Sequence, residues 1–266
     1  MGVATAKIVG RDGPVLLCDV RQDRLDSAAA TMRDLGIDAT MVDCDVTDRQ
    51  AVDEMFRTAA GLGPVAAVVH TAGVSPAMGD AEYVLRTNAI GTLNVNEAFF
   101  CIAPEGGAIV NVASMAAYLM PEEMIPVAAF PTALTDPQKF LAELLAGCDI
   151  AGAEARSGIA YAFSKNFVKW YSSAQAERFN SRGLRIVSVS PGSVDTEMGR
   201  LEEAGGAGAL VVDAAVPRWG KPEEMAELFA YCVSDKAGYL TGTDILNDGG
   251  VVASLRERAR AAAATS

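Results

Sequence analysis

The chain has 266 residues, half of them hydrophobic and 21% charged, enough to bury a sizeable core and too apolar for a disordered, collagenous or coiled-coil polypeptide. Acidic residues outnumber basic ones by 34 to 22, a formal net charge of −12, which argues against nucleic acid as a partner. No apolar run reaches the ~18 residues of a membrane span, and residues 1–12 lack the apolar core of a secretion signal.

Five cysteines (Cys18, Cys44, Cys101, Cys148 and Cys232) fall without disulfide or metal-ligand spacing. A cytoplasmic protein with reduced, mostly buried thiols and no metal site is expected.

Two periods alternate along the chain. Short runs rich in Val, Ile and Leu at 15–18, 39–42, 65–69, 108–112, 184–189 and 243–246 suit strands buried on both faces of a parallel sheet. Helical patterns fill the intervals. Residues 23–35 carry Leu25, Ala28, Ala29, Met32 and Leu35 near helical spacing, with Gly36 as a stop. Thr47 is the expected cap of a helix over 49–60. Further helices are predicted over 81–103, 160–181 and 222–233, the last opened by Pro222. This alternation predicts an α/β fold, a Rossmann-type doubly wound parallel sheet in a single domain over 1–266.

Two segments break the rhythm. Residues 118–158 separate a strand from the next helix far more widely than an ordinary βα connection, with a helix-like stretch at 137–146. Residues 197–216 contain Gly205, Gly206 and Gly208 and read as a substrate loop, because such sheets keep ligand lids at the carboxyl ends of their strands. The first segment is an insertion whose many apolar residues, Phe130, Leu134, Phe140, Leu141 and Leu144 among them, are expected to form a lid and an apolar substrate wall. The alternative for the same surface is a subunit contact.

The chemistry is most visible at Tyr161 and Lys165. Spacing i, i+4 places phenol and ammonium on one helical face. A phenol, with pKa about 10, is a poor base at neutral pH, and a nearby cation would lower that value and fit it for proton exchange with an alcohol or carbonyl. Around this pair stand Gly107–Ser114 (GAIVNVAS), Asn88-Ala-Ile-Gly91, Pro191-Gly-Ser-Val-Asp-Thr196 and a closing Tyr239–Gly250 segment (YLTGTDILNDGG). In their order along the chain these motifs resemble those of the short-chain dehydrogenase/reductase family, over residues 2 to about 253.

The resemblance implies an oxidoreductase that interconverts a secondary alcohol and a ketone with a nicotinamide cofactor, in a homo-oligomer (dimer or tetramer). It implies Tyr161 as general acid/base, Lys165 as the cation that tunes it and holds ribose hydroxyls, Ser114 on the substrate oxygen, and Asn88 on a relay water. Cofactor-binding positions follow: Gly2, Asp19, Asp45, Val46, Ala72, Gly73, Pro191, Gly192, Val194 and Thr196, with Tyr161 and Lys165. Asp19, closing the first visible strand, would accept ribose hydroxyls and repel a 2′-phosphate, which implies NAD, with NADP less favoured. Arg21 softens that repulsion.

Three departures from the family pattern stand out. The chain opens on what resembles the helix after the glycine-rich turn, without the strand before it, so a misassigned start or a truncation is expected, with a gap in the sheet beside the Asp19 strand. His70, the only histidine, stands where the family more often has asparagine and reads as structural. The insertion is long, as in some hydroxysteroid-active bacterial members, and points to a bulky hydrophobic substrate. The competing readings are a non-catalytic redox sensor or scaffold, and an epimerase or dehydratase. The latter is disfavoured because no substrate domain follows Gly250.

Overall fold

The computed structural model describes residues 1–203 and 208–265; Gly205 and Gly206 of the substrate loop lie outside them. Its elements run α1 (Gly2–Val9), β1 (Val15–Asp19), α2 (Gln22–Asp34), β2 (Ala39–Asp43), α3 (Arg49–Leu62) and β3 (Ala67–His70). Then come α4 (Ala81–Leu85), α5 (Gly91–Ile102), β4 (Ala108–Val112), α6 (Pro137–Gly147), α7 (Arg156–Ala174), α8 (Ala176–Asn180) and β5 (Arg185–Pro191). The chain continues through α9 (Glu197–Glu202), α10 (Gly208–Asp213), α11 (Pro222–Val233), β6 (Asp244–Asn247) and α12 (Val251–Thr265).

Every ladder is parallel, as βαβ crossovers require. Val15 stands opposite Ala39, Ala67 opposite Ala108, Ala108 opposite Arg185, and Ser188 opposite Asp244. The described residues form a two-stranded sheet of β1 and β2 and a four-stranded sheet in the order β3-β4-β5-β6. The interruption lies beside the Asp19 strand, as expected. Helix α1 packs on α11 and also reaches β1 and β3.

Burial follows this layout. Strands β4 and β5 are buried along their whole length, while β1, β2 and β3 are mostly half-exposed. The expectation that every strand buries both faces is therefore corrected. An open seam leaves the strands on either side partly uncovered.

Local signals decide several boundaries. Helix α2 stops at Gly36, whose φ of +68° suits a residue without a side chain, and Ile37 N–H closes back on Met32 O at 2.9 Å. Helix α3 is capped by Asp48, whose carboxylate accepts from Gln50 N–H at 2.8 Å, and not by Thr47. The Thr47 N–H is already donated to Asp45 Oδ1 at 2.8 Å, and that turn makes the next residue the cap. The long helix predicted over 81–103 is interrupted by a π turn at Arg86–Ile90.

The insertion forms an extra layer along the outer flank of α7. Short 3₁₀ turns lead into α6, which packs on α7 and α4. Phe130, Phe140, Leu141 and Leu144 join Phe163, Phe167 and Tyr171 in the main core. The Phe140 and Phe167 rings stand 4.7 Å apart, and Phe130 lies 5.6 Å from both Phe167 and Trp170. Burial of each such side chain contributes ~1.5–3 kcal/mol. These apolar groups pack against α7 and α4, a use the sequence did not single out. A cleft of about 290 Å³ remains between Tyr118, Met120 and Ile125 of the insertion and Lys169 and Trp170 of α7.

Candidate active site

Ser114 follows β4 in an extended conformation (φ −168°, ψ 154°) and caps the 3₁₀ turn Met115–Tyr118, its Oγ accepting from Ala116 N–H at 3.2 Å. Tyr161 and Lys165 share one face of α7. The Ser114 hydroxyl is near enough to the Tyr161 phenol to influence its ionisation. Lys165 is buried, donates from Nζ to Val112 O at 2.9 Å, and stands 5.7 Å from the Tyr161 ring centroid.

Asn88 sits inside the π turn, a deviation that often marks a functional position in a helix. It is 1% exposed, so it is not a surface amide. Its Oδ1 accepts from Val74 N–H at 2.8 Å, and its Nδ2 donates to Val74 O at 2.9 Å and to Ser164 Oγ at 3.2 Å. Ser164 in turn donates to Tyr161 O at 2.8 Å. A side chain at Gly73 would meet Asn88 Oδ1 at 3.1 Å and Lys165 Nζ at 3.4 Å. Asn88, Ser114, Tyr161 and Lys165 are thus gathered at the carboxyl end of β4.

A buried polar network fixes the three elements that carry them. Asn96 of α5 and Asn111 of β4 exchange side-chain hydrogen bonds at 2.8 and 3.0 Å, and Asn111 also donates to Ser172 Oγ of α7 at 3.2 Å. Every member is paired, so the network specifies one arrangement of helix, strand and helix. His70 belongs to the same layer. Thr92 Oγ1 donates to Asn88 O at 2.7 Å and lies 3.2 Å from His70 Nε2. With the hydroxyl proton already used, Nε2 carries the imidazole proton and donates to Thr92. His70 is a structural support under Asn88, as the sequence suggested.

Charges in the site differ from the sequence expectation. Burial pushes the Tyr161 phenol above its ordinary value; the Ser114 hydroxyl opposes this and the Glu202 charge adds to it. The expected lowering by Lys165 is absent, because that ammonium is turned to the Val112 carbonyl. Burial lowers Lys165 to about 8. Burial, with the Lys165 charge second, holds His70 at about 3.

The expected cofactor positions line the carboxyl ends of the strands. Asp19 closes β1, its Oδ1 accepting from Arg21 N–H at 3.0 Å and its Oδ2 lying 3.6 Å from Arg24. Asp45 and Val46 follow β2, and Val46 O accepts from Asn94 Nδ2 at 2.9 Å. A side chain at Gly91 would meet Val46 Cγ2 at 2.6 Å, so α5 needs glycine to approach this turn. Ala72 and Gly73 follow β3, and Gly2 abuts Thr71 at the start of α1. Pro191 ends β5; Gly192 donates its N–H to Asn247 O at 3.0 Å, and Val194 pairs with Gly220 in an isolated parallel bridge. Thr196 caps α9, its Oγ1 accepting from Gly199 N–H at 3.0 Å. A cleft of about 190 Å³ lies beside this turn, lined by Gly192, Val194, Asn247 and Asp248.

Three residues at the site are absent from the sequence reading. Arg24 lies one turn beyond Arg21 on α2, a spacing that could have flagged it. Glu197 and Glu202 open and close α9: Glu197 contacts Arg21 and Arg24, and Glu202 accepts from Ala77 N–H at 3.1 Å. These partners lie more than a hundred residues away, and no local pattern announces them.

The family model for short chain dehydrogenase matches residues 1–129, and that for Enoyl-(Acyl carrier protein) reductase matches residues 146–252. The chain is 31% identical to the short-chain dehydrogenase/reductase bsc3 of Alternaria brassicicola, with 96% of this chain and 93% of that one covered. It is 25% identical to a 3beta-hydroxysteroid dehydrogenase of Eggerthella lenta, covering 94% and 89% of the two chains. A solved short chain dehydrogenase from Burkholderia cenocepacia, in complex with NADP, superposes with a TM-score of 0.72 at 25% identity, covering 94% and 92%.

Proposed function

Because the chain belongs to the short-chain dehydrogenase/reductase family of oxidoreductases, we propose that it interconverts a secondary alcohol and a ketone with a nicotinamide cofactor, NAD in preference to NADP. One observation carries this reading: Lys165 is held at the end of β4 two residues before Ser114, 5.7 Å from the Tyr161 ring centroid, and Asn88 joins the same helix through Ser164.

The residues present fit the cofactor. Gly73 keeps the space in front of Asn88 and Lys165 free of a side chain, with acceptors, Asp19 and Asp45, at one side of the strand ends and donors, Lys165 and Tyr161, at the other. In this reading Asp19 holds the adenosine ribose, Asp45 and Val46 the adenine, and Ala72 and Gly73 the adjoining backbone surface. Lys165 and Tyr161 hold the second ribose, with Pro191, Gly192, Val194 and Thr196 at the nicotinamide end and Gly2 at the pyrophosphate. When bound, the nicotinamide supplies or accepts the hydride.

Hydride transfer to a ketone leaves negative charge on its oxygen, so the site needs a proton donor and a second hydroxyl there. Tyr161, kept protonated by burial, gives its proton to that oxygen in reduction and recovers it from the alcohol in oxidation. Ser114 holds the oxygen, and Lys165 holds the ribose beside the phenol. Asn88, fixed on both sides of its amide by Val74, anchors a water that relays protons towards Lys165.

A bulky hydrophobic, hydroxysteroid-like substrate is the finer reading. It is supported by the likeness to the Eggerthella lenta enzyme and by the apolar cluster of Met115, Val251, Val252 and Leu210 next to Ser114. The open seam between β1 and β3 favours a different role, a cofactor-impaired sensor or scaffold. Fluorescence titration with NADH, followed by turnover assays on bulky and small ketones, separates the two. Saturable binding with turnover is expected; a folded protein that binds neither NADH nor NADPH would overturn the enzymatic reading.

A further inference from the structure

Glu197, Arg21 and Arg24 join the substrate side of the molecule to the carboxyl end of β1. Glu197 Oε1 lies 3.1 Å from Arg21 Nη1, and Glu197 Oε2 lies 2.6 Å from Arg24 Nη2. The same two arginines flank Asp19, through the Arg21 N–H at 3.0 Å and Arg24 Nη1 at 3.6 Å. Arg21 is also held by Asp23, at 3.0 and 2.5 Å.

An acid in the first turn of a helix ordinarily serves the helix dipole. Here the carboxylate instead bridges two guanidiniums 176 and 173 residues away in sequence. Thr196 caps α9 and fixes the residue that follows it, and Glu202 ties the far end of α9 to Ala77 N–H at 3.1 Å. The helix therefore lies as a strap with its first residue on the arginine pair.

We infer that Glu197 selects NAD over NADP, by occupying on Arg21 and Arg24 the place that a 2′-phosphate would need. The inference rests on the cofactor reading above. Three carboxylates (Asp19, Asp23 and Glu197) face two guanidiniums, a local charge of −1, and a 2′-phosphate would bring more negative charge of its own. With Glu197 neutralised the balance is zero, and Arg24 has a single partner, Asp19, at the longer distance of 3.6 Å. Ribose hydroxyls donating to Asp19 need neither arginine, so a nucleotide without the 2′-phosphate leaves the strap undisturbed. The groups are partly exposed, so the effect is moderate in size and screened by salt.

The test is calorimetric titration of the full chain and its Glu197→Gln variant with adenosine 2′,5′-bisphosphate and with 5′-AMP. The variant is expected to bind the bisphosphate about fivefold to tenfold tighter relative to 5′-AMP, with the gain reduced in high salt and removed by adding Arg24→Met. An unchanged ratio, or equal tightening of both nucleotides, would overturn the role of Glu197. If 5′-AMP fails to bind either protein, the adenosine site itself is refuted and the inference falls with it. Thermal melting of each variant confirms that the comparison is between folded proteins.

Discussion

Lys165 donates from Nζ to the carbonyl oxygen of Val112 across 2.9 Å. The partner is neutral and the ammonium is 5% exposed, so the site holds a buried cation paired with a carbonyl rather than, among the described residues, a carboxylate. Burial accordingly lowers its pKa from 10.5 to about 8, and a shift of that size costs about 3 kcal/mol of folding free energy at neutral pH.

Lys165→Met should therefore stabilise the fold while disabling the site. At pH 7 we expect a gain of about 2 kcal/mol, the desolvation cost less about 1 kcal/mol for the lost hydrogen bond, together with at least a hundredfold fall in kcat. The sign reverses with alkali. Between pH 8 and 10.5 the unfolded wild-type chain binds more protons than the folded one, so wild-type stability rises with pH and the gap closes. Urea unfolding at pH 7 and pH 10 measures this; a variant less stable than wild type at pH 7 would refute it.

Tyr161→Phe should lower kcat by 10²–10⁴-fold and leave NADH binding within about threefold. The phenol supplies the proton, whereas most of the proposed cofactor contacts lie at the strand ends. Because burial holds the phenol above its ordinary pKa, ketone reduction should persist to alkaline pH rather than fall near neutrality. Retention of near-normal turnover by the Phe variant, measured beside NADH titration, would exclude Tyr161 as the acid.

His70 gives a second pH dependence, of the same origin and sign but at acid pH. Its folded-state pKa is held at about 3, by burial first and the Lys165 charge second, against 6.5 when free. The unfolded chain takes up a proton below pH 6.5 that the folded chain refuses until about pH 3. Stability is lost across that window, by about 2 kcal/mol between pH 7 and pH 5. His70→Asn should flatten this acid limb in urea unfolding, while Thr92 retains a donor at the same place. An unchanged slope would place the acid sensitivity elsewhere.

What the sequence discloses and what it conceals divides on physical lines. The strands around 108–112 and 184–189 were legible because a strand buried on both faces must be apolar throughout. Tyr161 and Lys165 were legible because helical spacing is local. Asn88 stands out by motif, but its π turn does not, since this stretch is buried on nearly every side and offers no one-sided period in which an inserted residue would show. The roles of Asn96, Asn111 and Ser172 were hidden in the same way, as polar residues within apolar elements whose partners come from other elements. Glu197 reads in sequence as an ordinary first-turn acid, and only the fold sets it on Arg21 and Arg24.

The insertion has a use the sequence did not single out, and Phe140 tests it. Its side chain is fully buried, 4.7 Å from the Phe167 ring and 6.4 Å from that of Phe130. Phe167 belongs to α7, two residues beyond Lys165, so the insertion braces the helix that carries the catalytic pair from its outer side. Truncation by Phe140→Ala removes a ring from a close-packed cluster and should cost about 3–5 kcal/mol, because the walls of such a cavity relax only partly. If the insertion were chiefly a substrate lid, the same truncation would change the preference between bulky and small ketones while sparing stability. As a flank layer it should do the reverse: the urea midpoint falls, and the ratio of kcat/KM values for the two ketones stays within about twofold at a temperature where the variant is folded. Measuring both quantities on one preparation decides the matter, since a shifted ratio with an unmoved midpoint would favour the lid and remove the bracing role from Phe140.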